Sequence, residues 1–253
     1  MKTIEELHEA PLMLSPLADA AWRAITESVP KHLEVYAYLL IRRDDPNMIV
    51  DIDLPKQIVS GGRCSVNSSD VIAAGERAAQ RGLLVAGSVH RHPGAGASRL
   101  SETDKVLLEG MAEELASETA FPIQVTRKAR NIVFRVEKSG DLRIQSGQGL
   151  KAGVYTAQEV EIHETVKAAR IYCLVWSPGG GYEGAAGHVI YDTLIGMPQR
   201  DFRYLTKVVV EEPSGRLNID REKIRRLARR LVKEESFTGY DYARETSPCC
   251  AQQ

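Results

Sequence analysis

The chain has 253 residues, room for one large or two small domains, and 43% of them are hydrophobic, enough for a real core. Its 33 basic and 34 acidic side chains leave a net charge of −1, which excludes a global electrostatic pull toward nucleic acid or membrane. The N-terminus carries Glu5, Glu6 and Glu9 without a long apolar run, so no signal peptide or transmembrane helix is expected, and the scattered Cys64, Cys173, Cys249 and Cys250, with no Cys-x-x-Cys pair, fit a reducing cytoplasm and argue against a structural zinc site.

Residues 16–29 read as a helix. Ser15 is suited to cap it, Pro16 suits its first position, and Pro30 ends it. Leu33 to Ile41 is rich in aromatic and aliphatic residues and reads as a strand with Glu34 at its start. Leu83, Leu84, Val85 and Ala86 form a short apolar run that suits a buried strand, broken by Pro93, Gly94 and Gly96. From Thr103 the spacing of Val106, Leu107, Gly110, Met111 and Leu115 predicts a helix.

Asn131 to Gln145 reads as a hairpin, with Ile132–Val136 and Leu142–Ile144 joined by a turn at Ser139-Gly140-Asp141. Ser146-Gly147-Gln148-Gly149 then reads as a linker, so the expected division is 1–149 and 150–253. In the second part Val160 to Val166 alternates, leaving strand or short helix open. Ala169 to Trp176, Val189 to Ile195 and Tyr204 to Val210 read as strands. The glycine-rich stretch from Ser177 to Gly187 lacks the Gly-Lys-Ser/Thr ending of a phosphate loop, which leaves a flexible hairpin connection. Asp220 is suited to cap a last, basic amphipathic helix through Lys233, read as a solvated charged face, with binding of nucleic acid, membrane or an acidic partner as the alternative. The tail from Ser247 is expected to be disordered, and polar Gln252 spoils its likeness to a prenylation box.

The chemistry concentrates in His90-Arg91-His92-Pro93 and Ser101-Glu102-Thr103-Asp104. Strand side chains alternate faces, so His90 and His92 point the same way. A carboxylate from the first turn of the following helix, Asp104, is then able to join them. Two imidazoles and one carboxylate make a catalytic zinc set, with the fourth position left for water. The plain alternative is surface histidine, with Ser101 as helix cap and Asp104 completing a capping box. His8, His32, His163 and His188 stand alone in sequence and read as structural or solvated.

On these residues the chain resembles the JAMM, or MPN+, zinc metalloproteases, whose pattern is an upstream Glu, then His-x-His-Pro, a short loop and Ser-x-x-Asp. His90, His92, Pro93, Ser101 and Asp104 match, over a resemblance spanning roughly residues 15–145. The loop from Pro93 to Leu100 is one residue longer than usual and lacks the aromatic residue many members carry. The resemblance implies an α/β fold, an MPN (JAMM, cytidine-deaminase-like) domain with a mixed β-sheet flanked by helices. A smaller α+β domain would follow it. It also implies that Glu34, in Glu-Val-x-small-x-Leu-Leu with Ala37 where glycine is common, is the general base.

The function implied is zinc-dependent hydrolysis of the amide bond after ubiquitin or a ubiquitin-like protein. Zn2+ would sit on His90, His92 and Asp104, and Glu34 would move the proton. Ser101 would donate a hydrogen bond to the oxyanion. Two alternatives stay open, a non-catalytic scaffold of the same fold and a zinc hydrolase with a non-ubiquitin substrate. Inactive relatives usually lose the histidines or the Asp, and this chain keeps them all. Expected partners are a ubiquitin-like protein or its conjugates, with no nucleic acid and no membrane, and a homo-oligomer stays open.

Overall fold

The computed structural model describes residues 2–94, 99–139, 149–177, 179, 181–191, 198–205, 207–215 and 217–235. In chain order they form β1 (Lys2–Thr3), α1 (Ile4–Glu9), β2 (Leu12–Leu14), α2 (Pro16–Ser28), β3 (Val35–Arg42), β4 (Asp45–Asp53) and β5 (Gln57–Val59). There follow β6 (Cys64–Ser65), α3 (Ser68–Gln80), β7 (Leu84–Arg91), α4 (Glu102–Thr119), β8 (Phe121–Val136) and β9 (Gly153–Trp176). The last elements are β10 (Tyr182–Tyr191), β11 (Pro198–Tyr204), β12 (Val208–Val210), α5 (Arg221–Leu231) and β13 (Val232–Glu234). The expected turn after Ser139, the strand at Leu142–Ile144, all of the linker except Gly149, and the tail lie outside the described residues.

Helix boundaries follow local chemistry. Ser15 Oγ accepts from the Ala18 N–H at 3.1 Å and Pro16 occupies the first turn of α2. Ser101 and Asp104 form a reciprocal capping box on α4. Asp220 Oδ1 accepts from the Lys223 N–H at 2.9 Å to start α5. No helix among the described residues is long and apolar enough to cross a membrane.

The architecture is mixed α/β. Eight strands run in the order β1-β8-β9-β7-β3-β4-β2-β12, and β10 and β11 extend the sheet from β9. β3 lies antiparallel to both β4 and β7. On one face, Val35, Ala37, Leu39 and Ile41 of β3 pack with Trp22 and Ile25 of α2, and Ala228 of α5 belongs to the same core. On the other, Tyr36 and Tyr38 pack with Ala74 of α3. Leu108, Met111, Ala112 and Ala116 of α4 cover Ala169, Ile171 and Cys173 of β9 on that side.

The expected division near residue 150 is not what the strands do. β9 pairs antiparallel with β8 from Gly153↔Val136 to Ala168↔Phe121. Ile132–Val136 therefore find their partner at residues 153–157. β9 then runs on, parallel to β7, from Gly87↔Tyr172 to His90↔Val175, while β10 takes its opposite edge. Tyr172, Leu174, Trp176, Ala186 and Ala228 share one core with Trp22, Leu39 and Val89. Without β9, the histidine strand would be an open edge, with backbone N–H and C=O groups unpaired. Strands from both sides of residue 150 therefore join one ten-stranded sheet and share the core around Trp22.

Two glycines of this sheet have a steric reason. At Gly87, φ is +137°, and a Cβ would stand 1.9 Å from the Tyr172 carbonyl oxygen. Close approach of β7 and β9 requires that position to have no side chain. A Cβ at Gly184 would meet the Leu174 side chain at 2.4 Å and the Cys173 oxygen at 2.6 Å.

The buried face of α4 also differs from the expected stripe. Val106 is 68% exposed and Leu107 39%, while Leu108 and Met111 are buried. The buried set is Asp104, Leu108, Met111, Ala112, Ala116 and Thr119. It keeps the helical period but starts from a carboxylate. The helix is rotated so that Asp104 faces the end of β7, which turns Val106 and Leu107 outward.

Candidate metal centre

The centre lies where β7 ends and α4 begins. Strand alternation places Ser88 and His90 on the side of the sheet occupied by α4, and His92 continues the same parity past the end of β7. The first turn of α4 brings Asp104 to them. His90 Nε2 and His92 Nε2 are 2.8 Å apart. His90 Nε2 is 3.1 Å from Asp104 Oδ1, and His92 Nε2 is 3.4 Å from Asp104 Oδ2. His90 and Asp104 are buried.

Ser101 orients the carboxylate. Its backbone N–H donates to Asp104 Oδ2 at 2.6 Å and its hydroxyl donates to the same oxygen at 2.7 Å. Burial works against a charge on Asp104, but His90 and Ser101 prevail and hold it well below the usual carboxylate range. Burial likewise opposes a charge on His90, yet its hydrogen bond to Asp104 and its contact with Cys173 push it up to about 10. The carboxylate is thus organised to face positive charge, which a metal ion would supply in place of a proton.

The residues fit a metal. A tetrahedral ion with ligand bonds of about 2.0–2.1 Å separates its ligand atoms by roughly 3.3 Å. The imidazole nitrogens are 2.8 Å apart, and they lie 3.1 Å from Oδ1 and 3.4 Å from Oδ2 of Asp104, within a few tenths of an ångström of that value. Two imidazoles with one carboxylate are donors that suit zinc, and His90 and Asp104 also group with the buried Cys173 thiol as a set able to hold a metal.

Glu34 stands just before β3, on the same parity as Tyr36, and is half-buried. Burial raises the pKa of its carboxyl and Asp104 adds to this, while His90 and His92 oppose it, and the net direction is upward. Glu34 is thus within electrostatic reach of His90, His92 and Asp104. Its position is held from several sides. The Glu34 N–H donates to the Ser60 carbonyl at 3.0 Å. Two residues on, the Gln57 side chain accepts from the Tyr36 N–H at 3.0 Å and donates to the Tyr36 carbonyl at 2.8 Å.

Three residues escape a reading of motifs. Arg91, between the histidines, points to the opposite face and is buried. Its guanidinium donates to the carbonyls of Thr26, Val29, Pro30 and Leu33 at 2.6–3.3 Å. It thereby satisfies the end of α2 and ties the segment leading into Glu34 to the histidine strand. Cys173 Sγ lies within 4.8 Å of the His90 and Asp104 donor atoms and accepts from Ser88 Oγ at 3.7 Å. Gly87, three residues before His90, lets β9 deliver Cys173. Arg91 has a signal only in hindsight, as a charge inside an apolar strand. Cys173 has none, since its place depends on the register of β9 against β7.

The other histidines lie elsewhere. His32 meets Glu234 at 3.2 Å, and His163 meets Thr126 at 3.0 Å and Glu161 at 3.2 Å on the exposed part of β9. His8 and His188 stack edge to face 4.6 Å apart. Residues 95–98 are outside the described residues, and with them half of the lengthened loop.

No family model matches the chain, and no curated protein sequence does. Among solved structures it is similar to the solution structure of protein DSY2949 from Desulfitobacterium hafniense. That likeness has 13% identity and a TM-score of 0.36, over 79% of this chain and 94% of the other. So low a score carries no argument about fold or function.

Proposed function

We propose that this chain is a zinc-dependent isopeptidase or peptidase of the JAMM type, hydrolysing the amide bond that follows a ubiquitin-like protein. One observation carries the reading. The imidazole nitrogens of His90 and His92 lie 2.8 Å apart and each is within 3.4 Å of an Asp104 carboxylate oxygen, with the Glu34 carboxyl, of raised pKa, in electrostatic reach. A zinc ion bound there would lower the pKa of its water to about 7 and polarise the scissile carbonyl.

The chain's own groups would do the rest. Glu34 takes the proton of the attacking water and returns it to the departing amine. A raised pKa suits a group that must both accept and release a proton near neutrality. Ser101 holds Asp104 in place through its N–H and hydroxyl. By turning its hydroxyl toward substrate it would donate to the developing oxyanion. The ubiquitin-like substrate rests on the motif resemblance alone.

Elemental analysis and cleavage assays on a panel of ubiquitin-like fusions test this reading together. The expected result is about one zinc per chain and cleavage of at least one fusion. Glu34→Gln should keep the zinc and lower turnover by roughly 10²–10⁴-fold, the usual range for general acid–base catalysis. His92→Ala should lose both metal and activity. Absence of zinc after reconstitution sinks the metal centre. Zinc binding with no fusion cleaved sinks the substrate assignment and leaves the centre standing.

A further inference from the structure

α5 concentrates positive charge that the chain as a whole, at −1, does not have. Its apolar side is already used, since Ile224, Ala228 and Leu231 pack into the main core. Arg225 reaches Glu27 of α2 at 3.3 Å. Among the described residues, no ion pair or side-chain hydrogen bond takes up Lys223, Arg226, Arg229 or Arg230, and all four are exposed. Lys223, Arg226 and Arg230 stand at i, i+3 and i+7, so they form one row along the helix.

An apolar groove runs beside that row. It has a volume of about 330 Å3, and Leu17, Ile219, Ile224 and Leu227 line it together with Lys223 and with Asp220, whose carboxylate is engaged in capping α5. Leu17 is 43% exposed and Leu227 36%. Leu17 is shared with an adjoining depression of about 540 Å3 that also holds Pro213 and Leu217. The surface is therefore a strip of exposed leucine with a cationic rail. Single exposed leucines are ordinary, but a contiguous strip with charge along one side marks a contact surface.

We infer that this groove docks a short acidic amphipathic segment of a partner protein. Apolar side chains of the segment would enter the groove while its carboxylates, three or four residues apart, meet Lys223, Arg226 and Arg230. Two other occupants fit less well. Single-stranded nucleic acid uses aromatic platforms for its bases, and no aromatic residue lines the groove among the described residues. A lipid surface needs the apolar face of the helix turned outward, whereas Ile224, Ala228 and Leu231 are turned inward. The docking strip is separate from His90, His92 and Asp104, and the inference does not rest on the proposed function. It sits on the segment that continues into β13, which pairs with β5 next to the Ser60 carbonyl that receives the Glu34 N–H.

The probe is a fluorescein-labelled 16-residue peptide with Glu and Leu at helical amphipathic spacing, followed by anisotropy with the full chain. Saturable binding is expected, weakened at least tenfold by Lys223→Glu with Arg226→Glu, and equally by Leu227→Asp. Lys128→Glu with Arg130→Glu on exposed β8 makes the same charge change elsewhere and should leave binding unaltered. Unfolding temperature and far-UV circular dichroism check that each variant is folded. No saturable binding overturns the inference, and so does equal loss in the β8 variant. Tighter binding of a 16-nucleotide single strand or of phosphatidylserine vesicles than of the peptide also overturns it.

Discussion

Replacing Arg91 by methionine should test how the centre is held together. The side chain is 3% exposed and makes five hydrogen bonds to four carbonyls, three of them at 2.6, 2.7 and 2.9 Å. A hydrogen bond from a charged group contributes about 1.5–3 kcal/mol net, so the three short ones set a gross loss of roughly 5–9 kcal/mol. Relief from burying a charge offsets part of this, and a net loss of about 3–5 kcal/mol remains, as for other broken buried networks. For a chain of this size each kcal/mol moves the unfolding midpoint by roughly 2–4 °C, so a fall on the order of 10 °C is expected. Leu33 immediately precedes Glu34, and Arg91 lies between His90 and His92 in the chain. On the proposed function turnover should therefore drop with zinc retained, because Glu34, the proposed base, shifts against the proposed ligands. Arg91→Lys should recover little, since one ammonium cannot span four carbonyls. Calorimetry with parallel metal analysis reads both effects. A midpoint within about 2 °C of the parent would refute the bracing role.

Gly87→Ala should fail to give soluble, zinc-loaded protein, because its Cβ would overlap the Tyr172 backbone and part β7 from β9; recovery of normal yield and unfolding temperature would mean that the β7–β9 register is wrong. A chain ending at Gly149 loses the strand that pairs with the histidine strand, and should show no cooperative unfolding rather than a folded domain of altered KM. Burial, then Arg170 and His8, lower the His188 pKa from 6.5 to about 3. The unfolded chain therefore binds the extra proton between those values, and stability falls as pH drops from about 6.5 toward 3. At pH 4.5 this contributes a loss on the order of 2–3 kcal/mol. Thermal scans of the parent and His188→Gln at pH 7.5 and 4.5 should show a smaller drop in the variant, and equal drops would count against a buried neutral imidazole.

What the sequence determined by itself is what short-range chemistry decides. Ser15 with Pro16 starts α2, Ser101 with Asp104 starts α4 and Asp220 starts α5, since caps are settled within four residues. The parity of His90 and His92 is also local, a property of extended backbone. So the shared face of His90 and His92, and the place of Asp104 in the first turn of the next helix, were legible before any contact was known. The rest was not, because it depends on segments distant in the chain. The long stretch from Gly153 to Trp176 contains Val160–Val166 and Ala169–Trp176, each strand-like alone, yet nothing local says that they are one strand. Parallel pairing to β7 has no hairpin turn to announce it, and that pairing carries the sheet across the expected boundary. The facing of α4 went the same way, because the side it buries begins with the charged Asp104, which blurs the hydrophobic period. Arg91, Gly87 and Cys173 acquire their roles only from the partners that folding brings to them, carbonyls at the end of α2, the backbone of Tyr172 and the imidazole of His90. Local sequence sets which backbone conformations and side-chain faces are available. Burial and register over separations of about a hundred residues select among them, and only the assembled sheet supplies those.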